Sequence, residues 1–183
     1  MAPSGQKTGS ALDTLLRNGT LAGNWALDPS RSQVGLRSKS MWGLVAVKGA
    51  FGQVSGKGTV SPAGEAEGTI TVDAASIDTK NKKRDEHLRS ADFFDVGNHP
   101  GITFSLDDLK PSGEGVTVTG SLTARGRTRP LSFDAKVSAV DAGEVRLDAE
   151  VHVNRADFGM TWNQLGMASM DNTITVHAVF TRR

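Results

Sequence analysis

Four ionisable side chains lie close together in the sequence and are its best candidates for catalysis: Asp85, His87, Asp92 and Asp95. A histidine beside carboxylates can exchange protons with a substrate. The same side chains can also cap short turns and pair with the neighbouring arginines. The sequence has no serine or cysteine in a recognisable nucleophile elbow and no glycine-rich phosphate loop. We therefore expect a structural role for this cluster and no enzymatic activity.

The other polar candidates also have a structural interpretation. His152 and His177 are expected on the outer face of strands, where two histidines could begin a metal site, but no third ligand is near in sequence. The basic turn 125–130 could meet a pyrophosphate or an acidic head group, or it could be an ordinary charged hairpin. We expect Arg155 and Asp157 to form an ion pair that holds their connection, and we expect no bound metal.

The bulk composition limits the partners. The 183 residues predict one domain, and 21 basic residues against 20 acidic ones give a formal net charge of +1. A charge this close to zero predicts no nucleic-acid partner and no overall attraction to an anionic membrane. The chain has no cysteine, which excludes disulfides, thiolate catalysis and cysteine-ligated metals.

The N-terminal part lacks the continuous apolar run of a secretory signal. Its only apolar candidate, 11–21, is interrupted by Asp13, Arg17 and Asn18. No stretch of the chain approaches the roughly 20 apolar residues of a membrane span. We therefore expect no integral membrane segment and a cytoplasmic location.

The leucines of the same part predict a short amphipathic helix over residues 11–18. Leu12, Leu15 and Leu16 share one face of this helix, and Asn18 begins a stop signal. A helix of two turns is marginally stable by itself. It must therefore dock either on the rest of the protein or on a second subunit, as the contact of a homodimer.

From residue 24 onward, apolar and polar residues alternate. One face of five segments holds only apolar residues and glycine, and the opposite face is polar apart from Val179. This period of two is typical of half-buried antiparallel strands. Together with weaker strands, the segments give eight to ten strands and predict an all-β barrel. The five segments are 66–74, 116–124, 131–139, 145–153 and 174–180, and the weaker strands are 24–28, 32–38, 45–53, 55–60 and 101–107.

Two segments interrupt the strands. Residues 80–89 carry opposite charges at helical spacing and predict one short helix. The connection 154–172 is long for a link between two antiparallel strands, and it is rich in apolar side chains. It is either a lid over the barrel interior or ordinary packing against the barrel end.

Small residues on the inward face bear on whether the barrel is hollow. A filled interior needs bulky side chains to reach normal packing density, so small ones favour a cavity for an apolar guest. Alternatively, they let the barrel walls approach each other. No inward residue is charged, so a guest must be a hydrocarbon chain. The small residues are Ala66, Gly68, Ala74, Gly120, Ala124, Ala135, Ala139, Ala149 and Ala178.

Several motifs occur in one order and together resemble the YceI-like, polyisoprenoid-binding family with a lipocalin-like fold. The resemblance implies an extended antiparallel eight-stranded barrel with one or two short helices over residues 23–183, preceded by a tail, 1–22, outside the resemblance. It also implies a tunnel-like interior that holds a polyisoprenoid or a related long-chain lipid. The motifs are 25–32 (WALDPSRS), 47–51 (VKGAF), 75–79 (ASIDT), 84–95 (RDEHLRSADFFD), 99–104 (HPGITF), 120–126 (GSLTARG) and 154–159 (NRADFG).

The sequence therefore predicts non-catalytic binding, transport or storage of a long-chain lipid of the isoprenoid quinone or polyprenyl phosphate type, with no other cofactor. One alternative is an enzyme that acts on such a lipid through Asp85 and His87. The other is a filled barrel that serves as an interaction module through its N-terminal helix. The residues predicted to line the lipid cavity are Leu36, Phe51, Ile70, Val72, Phe93, Phe94, Ile102, Phe104, Val118, Leu122, Leu131, Phe133, Val137, Val145, Leu147, Val151, Phe158, Met160, Trp162, Met167, Ile174, Val176 and Phe180.

Overall fold

The computed structural model describes residues 8–113 and 115–183, which form two short helices and eleven antiparallel strands. The helices are α1, Thr8–Arg17, and α2, Lys82–Arg89. The strands are β1 Gly23–Leu27, β2 Gln33–Ser40, β3 Val45–Phe51, β4 Val54–Val60, β5 Ala66–Asp73, β6 Ile77–Asp78, β7 Gly101–Ser112, β8 Gly115–Ala124, β9 Arg127–Val140, β10 Glu144–Asn154 and β11 Asp171–Arg182.

The eleven strands make the eight walls of one closed barrel. β1 and β2 follow each other along the same edge of β11, because both pair with it. In the same way, β3 and β4 form the next wall, and β5 and β6 form the one after it. Each wall pairs antiparallel with the next one along the chain, and β11 closes the ring on β1. The predicted all-β eight-stranded barrel is confirmed.

The strands show the alternating burial that the alternation of apolar and polar residues predicts. In β8, alternate positions from Val116 to Ala124 are buried and the positions between them are more exposed. Every predicted strand overlaps an observed one, whereas the two-residue β6 lies outside the prediction. Such a short strand carries too few residues to show a period of two.

A turn of 3-10 helix at Pro29–Arg31 separates β1 from β2 and is held by charge. Arg31 lies 2.8 Å from a carboxylate oxygen of Asp28 and 2.6 Å from one of Glu144, at the start of β10. Hydrogen bonds from Ser30 and from Arg31 lower the pKa of Asp28 to about 2. The ion pair with Glu144 connects this turn to β10, the neighbour of β11 in the barrel.

Helix α1 closes one end of the barrel, which we call the lower end. Leu12 and Leu16 are buried against β7, β8 and β9, together with Leu21 from the segment that follows the helix. The indole nitrogen of Trp25 donates a 2.8 Å hydrogen bond to the carbonyl oxygen of Leu21. The helix begins at Thr8, earlier than predicted, and it docks on its own barrel.

Helix α2 lies at the opposite, upper end, beside the connection between β10 and β11. It begins after Asn81, whose side chain accepts a hydrogen bond from the backbone nitrogen of Arg84, and it lies within the predicted range 80–89. Leu88 packs against the buried cluster of this end. Within the described residues, no helix is long and apolar enough to cross a membrane.

Candidate functional site

The barrel interior holds two apolar cavities, one towards each end. The upper cavity has a volume of about 340 Å³ and the lower cavity about 160 Å³. Their walls are built mainly from alternate strand positions, because every second side chain of a strand faces the same side. Small-molecule pockets are commonly lined in this way by apolar side chains with a few polar groups.

Most of the predicted lining residues surround the upper cavity. They come from the upper halves of the strands, from the segment after α2 and from the connection between β10 and β11. They are Leu36, Phe51, Ile70, Val72, Phe93, Phe94, Ile102, Phe104, Leu122, Leu131, Phe133, Val151, Phe158, Met160, Trp162, Ile174 and Val176.

The lower cavity takes a second part of the predicted set. Val118, Val145, Leu147 and Phe180 line it. Helix α1 covers it. The sequence predicted that this helix docks, but not that it covers a cavity, because the helix lies outside the alternating pattern. Two predicted residues line neither cavity: Val137 is fully enclosed in the lower core, and Met167 lies in the connection. The leucines that cover the cavity are Leu12, Leu16 and Leu21.

The small inward residues have both of the roles that the sequence left open. A Cβ atom at Gly120 would lie 2.1 Å from the carbonyl oxygen of Ser105 and 2.7 Å from the Phe104 ring, so this glycine permits close approach. Ala74 is enclosed in the upper core, and the side chain of Ala139 lies outside the described part. Others border empty volume: Ala66, Gly68, Ala135, Ala149 and Ala178 line the lower cavity, and Ala124 lines the upper one.

Two phenyl rings narrow the interior between the cavities. Phe104 and Phe133 line both cavities, with ring centroids 5.5 Å apart and planes at 57°. Ile70 and Val176 also border both. The cavities are therefore consecutive parts of one apolar path, and these four side chains form the partition within it.

The mouth of the upper cavity is polar, and most of its residues lie outside the predicted set. Alternation could not find them, because they lie where strands end and the chain turns. Of the described residues, no aspartate or glutamate lines this cavity, whereas four basic residues do: Lys39, Arg84, His87 and Arg155. The uncharged polar lining residues are Ser38, Ser40, Thr79, Ser169 and Asn172.

His87 belongs to an aromatic cluster at the mouth. Its ring centroid lies 4.4 Å from that of Trp162 and 5.0 Å from that of Phe93, in edge-to-face geometry. Its Nε2 atom lies 2.9 Å from a carboxylate oxygen of Asp92. This packing holds α2 against the connection between β10 and β11, and the imidazole borders the cavity.

Arg155 is buried and does not form the predicted ion pair with Asp157. Its guanidinium instead donates to four backbone carbonyl oxygens of the connection, those of residues 160, 162, 168 and 169, at 2.8–3.4 Å. It also lies 5.3 Å from the centre of the Phe93 ring. Burial lowers the pKa of this guanidinium, which stays protonated. The prediction was wrong because a planar fork of donors fits the carbonyls of a curled loop better than one carboxylate.

Asp85 is buried away from the cavity. One carboxylate oxygen accepts hydrogen bonds from the backbone nitrogen of Thr79 at 3.0 Å and from its hydroxyl at 2.5 Å. Arg84 donates to the same hydroxyl oxygen at 2.7 Å. Asp85 thus fixes the segment before α2, whereas His87 faces the cavity. The two side chains do not converge on one substrate position.

The remaining polar candidates lie outside the cavities. His177 contacts Asp148 at 2.5 Å and His152 contacts Thr173 at 3.2 Å. No cluster of three metal-binding side chains occurs in residues 8–113 and 115–183. In the basic turn, Arg125 donates to the carbonyl oxygens of residues 91 and 159. It therefore joins the two segments that border the mouth.

Comparison with known families matches residues 25–181 to the YceI-like domain. This chain belongs to the YceI-like domain family. The matched residues contain the whole barrel except the ends of its first and last strands. Helix α1 lies before the matched region, so the leucines that cover the lower cavity are outside the YceI-like domain.

Curated YceI-like relatives match part of the chain. A UPF0312 protein of Pectobacterium atrosepticum is 38% identical over 107 residues, which are 56% of this chain and 55% of that protein. Protein YceI of Salmonella newport is 34% identical over 107 residues, or 56% of each chain. The match thus spans about half the length of these relatives.

Solved structures share the barrel. The crystal structure of Burkholderia cenocepacia BcnA has a TM-score of 0.75 at 26% identity and covers 84% of this chain and 98% of its own. A polyisoprenoid-binding domain from Saccharophagus degradans, implicated in plant cell wall breakdown, has a TM-score of 0.71 at 16% identity over 87% and 98% of the two chains. The second likeness is one of fold.

Proposed function

We propose that this protein binds a long-chain apolar lipid, most suitably a polyisoprenoid, inside its barrel and catalyses no reaction on it. The observation that carries the proposal is the apolar path of two cavities that ends in one polar mouth. Each buried CH₂ of a guest contributes about 0.8 kcal/mol in such a path. A protein of the same fold is described as a polyisoprenoid-binding domain, which supports this class of ligand.

The mouth favours a head group that accepts hydrogen bonds. Hydroxyl, amide and imidazole groups border the upper cavity, and no carboxylate of the described residues does. A carboxylate there would repel a phosphate and would leave a quinone carbonyl without a donor. An isoprenoid quinone or a polyprenyl phosphate therefore fits the mouth. Transport or storage in the cytoplasm stays a prediction from the sequence.

The enzymatic alternative has less support. It requires Asp85 and His87 to act together, but only His87 borders the cavity and Asp85 is engaged by Thr79. A general acid or base must lie within hydrogen-bond reach of the group that it serves. The geometry thus favours binding over catalysis.

Uptake of a polyprenyl probe tests the proposal. Native mass spectrometry should show one polyprenol or polyprenyl phosphate per chain, and the mass of the probe should be unchanged after incubation. Because only the folded state binds, a probe at 100 times its Kd should stabilise the protein by about 2.7 kcal/mol. A purified protein that is empty and takes up no probe would contradict the proposal, and chemical conversion of the probe would favour the enzymatic alternative.

A further inference from the structure

Among the residues whose burial is described, the large apolar side chains that are most exposed to solvent occur in two places. They lie in the turn between β2 and β3, including the first residue of β3, and in the connection between β10 and β11. Soluble proteins seldom concentrate their exposed apolar side chains in this way without a binding role. Leu44 is 85% exposed, Leu165 77% and Trp42 63%. The six are Met41, Trp42, Leu44, Val45, Trp162 and Leu165.

Hydrogen bonds join the two loops into one surface, which we call the apolar tip (residues 41–45 and 162–167). The backbone nitrogen of Trp42 donates to the carbonyl oxygen of Met167 at 3.1 Å, and its indole donates to that of Leu165 at 3.3 Å. Met41, Trp42 and Leu165 have positive φ angles of 51°, 55° and 53°. These left-handed positions, which are unfavourable for side chains of this size, are held by the contacts between the loops.

The apolar tip lies beside the mouth of the upper cavity. Trp162 belongs to the tip and also lines the cavity. The backbone nitrogen of Ser169 donates to the carbonyl oxygen of Lys39 at 2.9 Å, and both residues border the cavity. A guest that enters or leaves through this mouth therefore passes the tip.

Basic residues flank the tip, although the whole chain is nearly neutral. Arg37 is paired with Glu150 at 2.9 Å. Lys39 and Lys48 are exposed, and neither has an ion-pair partner within residues 8–113 and 115–183. The tip residues themselves carry no charge. An apolar surface flanked by lysines fits a membrane whose surface carries anionic lipids.

We propose that the apolar tip inserts into the head-group region of a lipid bilayer that contains anionic lipid, with the cavity mouth facing the bilayer. Its role in loading a guest rests on the proposed function, but docking itself does not require a guest. A tip of this kind would let a hydrocarbon chain pass between the bilayer and the cavity without crossing water. This crossing would otherwise cost about 0.8 kcal/mol for each exposed CH₂.

Flotation of the full-length protein with vesicles tests the docking. The vesicles contain either phosphatidylcholine alone or equal parts of phosphatidylcholine and phosphatidylglycerol. We expect Leu44→Asp to weaken binding to the mixed vesicles at least about tenfold, because it places a charge in the tip. Ala63→Asp is the matched control: it is exposed in the β4–β5 turn at the lower end and should bind like the unaltered protein.

Substitution of the two lysines provides a second test of the docking. Lys39→Gln and Lys48→Gln should each weaken binding to the mixed vesicles about fivefold, which corresponds to about 1 kcal/mol for each basic residue near an anionic surface. Neither change should alter binding to phosphatidylcholine alone. Equal binding by the unaltered protein, Leu44→Asp and Ala63→Asp would overturn the proposal. So would a dimer in sedimentation that Leu44→Asp converts to a monomer, in the absence of vesicle binding.

Uptake of a polyprenol probe in detergent solution separates this proposal from the proposed function. Leu44→Asp should take up the probe like the unaltered protein, because Leu44 does not line either cavity. Probe uptake without vesicle binding would overturn the docking proposal and leave the proposed function standing. Vesicle binding that Leu44→Asp abolishes, without probe uptake, would support docking and overturn the proposed function.

Discussion

At the scale of single residues, Arg155 organises the connection over the cavity mouth. It is buried, and its hydrogen bonds go to four carbonyl oxygens of one loop. Hydrogen bonds to a charged group contribute about 1.5–3 kcal/mol each. The loop carries Met160 and Trp162, which line the upper cavity. The guanidinium therefore positions these two side chains through its hydrogen bonds to the loop backbone.

Arg155→Met should therefore destabilise the protein by about 3 kcal/mol or more, because buried carbonyls lose their donor. Arg155→Lys should not restore this stability, since an ammonium lacks the planar fork of donors. Urea unfolding measures both free energies. Arg129→Met, at an exposed arginine, is the control and should change stability by less than about 0.5 kcal/mol. A lysine variant as stable as the unaltered protein would refute the argument from geometry.

Phe133 lines both cavities, so we expect its ring to limit the length of a bound guest. Phe133→Ala should lower stability by about 3 kcal/mol and join the cavities. In a mixture of polyprenols of different lengths, we expect the bound population to shift towards longer chains, as read by native mass spectrometry.

Phe51→Ala is the matched control for this change in guest length. It removes the same atoms from the wall of the upper cavity and leaves the partition in place. An equal shift in both variants would show that volume alone, and not the partition, selects the guest.

At the level of secondary structure, α1 covers the lower end of the barrel. Leu12 and Leu16 cover the lower cavity, and neither belongs to the YceI-like region 25–181. The helix is short and would be marginal by itself. Its stability therefore comes from burial of its leucines against β7, β8 and β9, and in return it shields apolar walls from water.

Leu16→Asp should release α1 from the barrel, because a charge cannot be buried there without a partner. The fluorescence of Trp25, which is buried beside Leu21, should shift to longer wavelength, and an apolar dye should bind to the opened end. Arg17→Ala, on the exposed side of the same helix, should change neither signal. An unchanged spectrum for Leu16→Asp would contradict the covering role.

At the level of the whole molecule, a cluster of charged side chains lies where the barrel closes, at the turn between β1 and β2. Hydrogen bonds from Ser30 and Arg31 lower the pKa of Asp28 to about 2, and Arg31 also lowers the pKa of Glu144. Because both pKa values are lower in the folded state, the carboxylates stabilise it above about pH 4.5. This contribution is lost as the pH falls towards 2.

Asp28→Asn should therefore lower the unfolding free energy at neutral pH and make the decline in acid shallower. Chemical unfolding at a series of pH values measures both effects. Asp107→Asn, at an exposed strand position, should leave the acid profile as it is. The effect should be modest, since these groups are exposed to solvent, and a profile identical to that of the unaltered protein would refute it.

The barrel and its apolar interior follow from the alternation of apolar and polar residues along the strands. A period of two in the strands between residues 66 and 180 predicts which of their side chains face inward, and this local property places the part of the upper cavity wall that these strands supply. Loops and ends lack such a period. The ion pair predicted between Arg155 and Asp157 was wrong, and the mouth residues Ser38 and Asn172 lay outside the predicted set.

The division of that interior, its cover and its mouth depend on contacts between residues that are distant in the sequence. The partition joins Phe104 and Phe133 from different strands, α1 covers the lower cavity, and Trp42 meets Leu165 across 123 positions of the chain. Each of these contacts depends on strand register and on barrel closure, which bring distant residues together. The pattern of residue types along the chain predicts which face of each strand points inward. It does not predict which strands become neighbours when the barrel closes.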